Sequence, residues 1–178
     1  MVAAAITAGE IYSPNAVAEH VQAVTSKLRE VGTSVTVLHR GIRVIGSHRR
    51  RPTDVKTLPY PGFPTDMQPQ MMALLSIAEG TSVISETVFE SRFKQAEELG
   101  RMGAQIRTEG RTAIIKGVPR LSGARVVSTD LRSGASLVLA GLAAEGETIV
   151  SGIHHVDRGY ERLERKLAAL GAKIIRQE

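Results

Sequence analysis

The chain has 178 residues, 42% of them hydrophobic and 23% charged, with a formal charge of +5 and no cysteine. That composition describes one globular domain with room for a real core, and it excludes disulfide-stapled, low-complexity and membrane-spanning classes. The charge points to anionic partners; three Phe, three Tyr and no Trp supply a nucleic-acid stacking platform poorly, and a small anionic substrate fits the charge equally well.

The N-terminal MVAAAITAGE lacks the basic start of an export signal, so a cytoplasmic protein is expected. Val2 to Ala8 reads as a helix entered midway. Ser13-Pro14 predicts the start of a second helix, with Ser as N-cap and Pro in the first position. Val17, Val21, Val24, Leu28 and Val31 give that helix an apolar stripe, and Gly32 ends it. Val35 to Leu38 and Ile42 to Ile45, around His39-Arg40-Gly41, read as a β-hairpin. The run His48-Arg49-Arg50-Arg51, between Gly46 and Pro52, reads as a solvated loop rather than a phosphate-tracking patch. Pro52 to Pro64 is an irregular connection. It ends in Thr65-Asp66, directly ahead of the apolar run Met71, Met72, Leu74, Leu75 and Ile77. The spacing predicts a helix with Asp66 at its N-cap, where free N–H groups and the dipole also favour anions.

The helix-end unit then recurs. Lys27-Leu28-Arg29-Glu30-Val31-Gly32 corresponds to Glu98-Leu99-Gly100-Arg101-Met102-Gly103 and again to Lys166-Leu167-Ala168-Ala169-Leu170-Gly171. The glycines lie 71 (103 − 32) and 68 (171 − 103) residues apart. Three units are implied, each with a helix, a strand, a second helix and a hairpin. Ala104 to Thr108 and Thr112 to Lys116 form the second hairpin. Lys173 to Arg176 is expected as the first strand of the third, without its partner, leaving an unpaired edge for self-association. With both ends cut, the chain reads as part of a larger protein.

Arg92 and Arg158 lie 66 residues apart (158 − 92), each between a strand and the second helix of its unit. Arginine there opposes the helix dipole and makes sense if it faces a phosphate or carboxylate. The alternative is an ion pair with Glu86, Glu90 or Asp157. Ser128-Thr129-Asp130-Leu131-Arg132 repeats the pattern at Asp66, with Asp130 as a cap. His154 and His155 are adjacent, so in a strand they point to opposite faces and cannot chelate together; no metal is expected.

Several motifs resemble a known family. Pro61-Gly62-Phe63-Pro64-Thr65-Asp66-Met67-Gln68, Glu86-Thr87-Val88-Phe89-Glu90-Ser91-Arg92-Phe93, Ser122-Gly123-Ala124, Thr129-Asp130-Leu131-Arg132 and Asp157-Arg158-Gly159-Tyr160-Glu161-Arg162 resemble those of UDP-N-acetylglucosamine 1-carboxyvinyltransferases. The likeness covers the C-terminal two-fifths or so of that family's length. It implies an α/β domain of the inside-out barrel type, built from βαβαββ units around buried helices, with residues 1–178 forming most of one of two domains and the first and last units incomplete. It implies transfer of enolpyruvate from phosphoenolpyruvate to the 3-hydroxyl of UDP-N-acetylglucosamine, without metal or organic cofactor.

Carried over, Asp66 resembles the carboxylate that takes the hydroxyl proton. Val88 resembles a backbone contact to the nucleotide sugar, and Arg132 and Arg158 resemble the arginines that engage phosphoenolpyruvate. Glu90 and Arg92 are implied to support them, with Asp130 a supporting residue or only a cap. The catalytic acid, an essential lysine and the opposite wall of the cleft belong to the part of the family not represented here. Shikimate-pathway enolpyruvyl transfer is the enzymatic alternative, and a non-catalytic half-domain that binds anions or nucleic acid is the other.

Overall fold

The computed structural model describes residues 1–90 and 92–177. Its centre is made of three helices that pack pairwise: α1 (Val2–Thr7), α3 (Gln68–Leu75) and α5 (Leu131–Ala143). All eight residues of α3 are buried, as expected of a helix without a polar face at the middle of a fold. Val2, Ala4, Ala5 and Ile6 of α1 and Leu137, Val138 and Ala140 of α5 complete the contact.

Sheets cover this helical centre. The middle unit is complete, with β4 (Val55–Lys56), α3, β5 (Thr81–Ser85), α4 (Gln95–Arg101), β6 (Gln105–Glu109) and β7 (Thr112–Lys116). Its sheet runs β4-β5-β7-β6, with β4 and β5 parallel and the other pairs antiparallel. The first unit has β1 (Glu10–Ser13), α2 (Gln22–Val31), β2 (Ser34–Val37) and β3 (Ile42–Ile45), in the order β1-β3-β2. The third has parallel β8 (Arg125–Val127) and β9 (Ile149–Ser151), then α6 (His154–Asp157) and α7 (Leu163–Ala169). This is the expected repeat of βαβαββ units with helices inside and sheets outside.

The helix-end repeat is exact in its bonding. Gly32, Gly103 and Gly171 take φ of 101°, 90° and 95°, a left-handed turn that glycine adopts without Cβ strain. Each lets the next residue donate back to a buried leucine carbonyl at 3.0 Å: Thr33 to Leu28, Ala104 to Leu99 and Ala172 to Leu167.

Two sequence expectations are corrected. The second helix starts at Gln22, after a 3-10 turn over Ala18–Val21, and not at Pro14. Ser13 belongs to the β1 ladder opposite Ile42, so it cannot cap a helix, and Val17 is 47% exposed. Lys173 to Arg176 form no strand. In the first two units the corresponding strands, β2 and β6, pair only with β3 and β7, never with β1 or β5. Without a third-unit counterpart of β7, residues 173–176 have no ladder to join. Arg176 instead donates to Asp157 at 2.9 and 2.6 Å. Within the basic run, Arg50 turns inward and donates to the carbonyls of Ala5 and Ile6 at 3.2 and 2.8 Å, closing the C-terminal end of α1.

Candidate active site

The connection before α3 is pinned by buried Phe63, whose carbonyl accepts from Leu58 N at 3.0 Å. Thr65–Met67 then makes one 3-10 turn in front of α3. Asp66 is therefore not an N-cap: its side chain accepts no cap hydrogen bond. Arginines take the carboxylate instead. Arg132 Nε donates to Oδ1, Arg132 Nη2 to Oδ2 at 2.8 Å, and Arg92 Nη1 reaches Oδ1 at 3.3 Å. A two-pronged guanidinium donor outcompetes a neutral backbone amide for an ionised carboxylate.

Arg132 is held there by its own helix end. Asp130 caps α5 as expected, with Oδ1 accepting from Arg132 N at 3.0 Å and Ser133 N at 2.9 Å. The Arg132 guanidinium holds the Asp66 carboxyl below its ordinary range, against burial, and Arg92 adds to that effect. Three of the sequence candidates thus meet where the N-terminal ends of α3 and α5 come together.

Arg158 lies on an exposed turn after α6, and among the described residues it makes no ion pair. Its turn is seated at the same end of the fold. A Cβ on Gly159 would lie 2.9 Å from Leu131, the first residue of α5, and Tyr160 hydroxyl accepts from Gln70 Nε2 of α3 at 3.3 Å. None of the ion pairs weighed for the two arginines forms among the described residues. Glu90 pairs with Arg111 at 2.7 Å, Asp157 with Arg176, and Glu86 with no cation. His154 and His155 lie in a short helix rather than a strand, with ring centroids 4.1 Å apart. Among the described residues no three His, Asp or Glu side chains gather to hold a metal, and no helix is long and apolar enough to cross a membrane.

Beneath the Asp66 cluster lies a residue to which the sequence reading gave no role of its own. Glu86 is 1% exposed. Its Oε1 accepts from Thr57 Oγ1 at 2.7 Å, Val88 N at 2.9 Å and Phe89 N at 3.1 Å, and its Oε2 from Thr65 Oγ1 at 2.8 Å. Burial pushes this carboxyl up, but the hydrogen bonds outweigh it and hold the group below its ordinary value. A sequence signal for Glu86 exists: it continues the period-two buried face of β5 through Ser82 and Ile84.

The sequence profile of the EPSP synthase (3-phosphoshikimate 1-carboxyvinyltransferase) family matches residues 1–167. The chain belongs to this family. Within the EPSP synthase family it is 60% identical over 176 residues to UDP-N-acetylglucosamine 1-carboxyvinyltransferase 1 of Symbiobacterium thermophilum, covering 99% of this chain and 40% of that protein. A second relative of that name, from Caldanaerobacter subterraneus, is 58% identical over 177 residues, covering 99% of this chain and 43% of its own length. The chain therefore spans about two-fifths of the length of the curated relatives it matches. Among solved structures, the enolpyruvyl transferase NikO from Streptomyces tendae superposes with a TM-score of 0.86 at 29% identity, over 97% of this chain and 41% of that one. EPSP synthase from Acinetobacter baumannii, at 24% identity and a TM-score of 0.74 over 98% of this chain and 41% of that one, shares the fold.

Proposed function

We propose that this chain forms one wall of the active site of a cytoplasmic transferase. That enzyme moves the enolpyruvyl group of phosphoenolpyruvate to the 3-hydroxyl of UDP-N-acetylglucosamine and releases phosphate, the first committed step of the peptidoglycan synthesis on which cell-wall growth, shape and division depend. The observation that carries the reading is the Asp66–Arg132–Arg92 cluster between α3 and α5, in a chain so similar to relatives bearing that name. In net terms, the sugar hydroxyl oxygen bonds to C2 of the donor and Asp66 accepts the hydroxyl proton. The C2–O bond to phosphate breaks, and phosphate leaves with the electron pair.

The ion pair gives these steps an order. In the free chain Arg132 occupies the Asp66 carboxylate, which weakens it as a base. The anionic donor competes for the same guanidinium fork, with Arg158 as the second cation. As Arg132 turns to the donor, Asp66 loses its strongest hydrogen bonds and becomes more basic, at the moment its proton acceptance is required. Val88 N–H is committed to Glu86, so its carbonyl is the backbone group left for the nucleotide sugar. Shikimate 3-phosphate as acceptor is supported only by the family description and by structures of low identity.

The remaining part of the enzyme is the partner this wall requires. The sheet order of the first two units calls for an antiparallel strand along β9, and we infer that the complementary segment supplies it. Without that segment, the open β9 edge, rather than residues 173–176, is where copies of the chain would associate. A complementation assay tests the reading. Mixed with the complementary segment of the Symbiobacterium relative, the chain should release phosphate from phosphoenolpyruvate and UDP-N-acetylglucosamine, and neither part should do so alone. Full turnover by the chain alone would show that its catalytic groups have been misplaced.

A further inference from the structure

We propose that Glu86 is a positioning residue that locks the Val88–Phe89 turn and the Arg92–Asp66 pair into a single unit. The proposal rests on the reading of Asp66 as the base. A carboxylate this buried is costly unless fully hydrogen-bonded, and Glu86 is satisfied without a cation: its donors are two hydroxyls and two backbone N–H groups.

The direction of those bonds is what matters. An ionised carboxylate can only accept, so the Thr65 hydroxyl must give its proton to Glu86. That leaves the Thr65 oxygen as an acceptor, and Arg92 Nη1 donates to it at 2.8 Å while reaching Asp66 at 3.3 Å. On its other side the Arg92 guanidinium sits over the Phe89 ring, 4.3 Å from the centroid. Phe89 is in turn tied to Glu86 by its own N–H. One buried carboxylate therefore sets both groups that hold Arg92, and Arg92 and Arg132 are the two cations on Asp66. The same carboxylate binds the N–H of Val88, so the proposed sugar-contacting turn and the base share one anchor.

Glu86→Gln tests this by a single atom. With Oε1 kept on its three donors, an NH2 group replaces Oε2 and presents a donor to the Thr65 oxygen. The Thr65 hydroxyl can then no longer give its proton to residue 86, so the bond that fixed the Thr65 oxygen toward Arg92 is lost and Arg92 is no longer held in one place. The variant is made in the full-length Symbiobacterium transferase whose matched 176-residue segment is replaced by this chain. The expected result is a loss of about 10²-fold in kcat, the size of effect that a small misplacement of a reacting group produces. The acid limb of the kcat/KM profile moves to higher pH, because Asp66 loses the support of Arg92. Thr65→Val severs the same link from a half-buried position and should give the same losses, while Thr65→Ser retains activity. The double variant Glu86→Gln/Thr65→Val should be no worse than either single one.

Wild-type kcat with an unmoved acid limb in Glu86→Gln would overturn the proposal, as would additive losses in the double variant. If Glu86→Gln does not fold, Thr65→Val carries the same expectation and the same overturning result. Asp66→Asn in the same background separates the two claims. An inactive Asp66→Asn beside a normal Glu86→Gln and Thr65→Val removes only the positioning role, whereas an active Asp66→Asn removes the reading of the base itself.

Discussion

Replacing Asp66 by Asn in the full-length chimeric enzyme lowers turnover by about 10²–10⁴-fold, the usual contribution of a positioned general base. Stability should hardly change. The Asp66 side chain is 55% exposed and makes no cap bond, and ion pairs of that exposure contribute about 0–1 kcal/mol. The effect on activity is therefore separable from any effect on folding. The pH profiles sharpen the test. A base at Asp66 must be deprotonated, so activity should be lost as pH falls through its pKa. In the free enzyme Arg132 holds that pKa below the ordinary carboxylate range, so kcat/KM stays high until the pH is low. With donor bound, Arg132 is drawn away and the acid limb of kcat lies at higher pH. Near-normal turnover of Asp66→Asn would end the catalytic assignment.

Arg158→Lys should raise the KM for phosphoenolpyruvate by about 10–100-fold while changing that for UDP-N-acetylglucosamine little, as expected when charge-assisted hydrogen bonds worth about 1.5–3 kcal/mol are lost. Lysine retains the charge and loses the planar fork that matches a phosphate or carboxylate. Arg158 makes no ion pair among the described residues, and its turn is seated against α5 and α3, at the same end as Asp66. Arg132 differs, because it is already occupied by Asp66. Isothermal binding of each ligand to the variant makes the comparison. Equal weakening of both ligands, or of neither, would show that Arg158 does not face the donor.

How much of this was legible in the sequence depends on how far each feature reaches along the chain. The glycine-terminated helix ends were legible because their hydrogen bonds close within five residues, from Thr33 to Leu28 and at the two matched places. The hairpins and the Asp130 cap were legible for the same reason. The Ser13-Pro14 helix start was misread because a long-range ladder to Ile42 claims Ser13 before a helix can. Asp66 was placed correctly at the mouth of α3 but given the wrong partner. Its capture by Arg132, 66 residues away, depends on two buried helices packing side by side, which no local pattern encodes. Residues 173–176 carry strand-forming residues, yet no strand forms without the neighbour that the other two units provide.

The most direct test of the central claim is acceptor choice by the chimeric full-length enzyme. Phosphate release from phosphoenolpyruvate is measured with UDP-N-acetylglucosamine and, separately, with shikimate 3-phosphate. The account predicts turnover with the nucleotide sugar and none above background with the shikimate. Equal or faster release with shikimate 3-phosphate, or a folded chimera that uses neither acceptor, would contradict it.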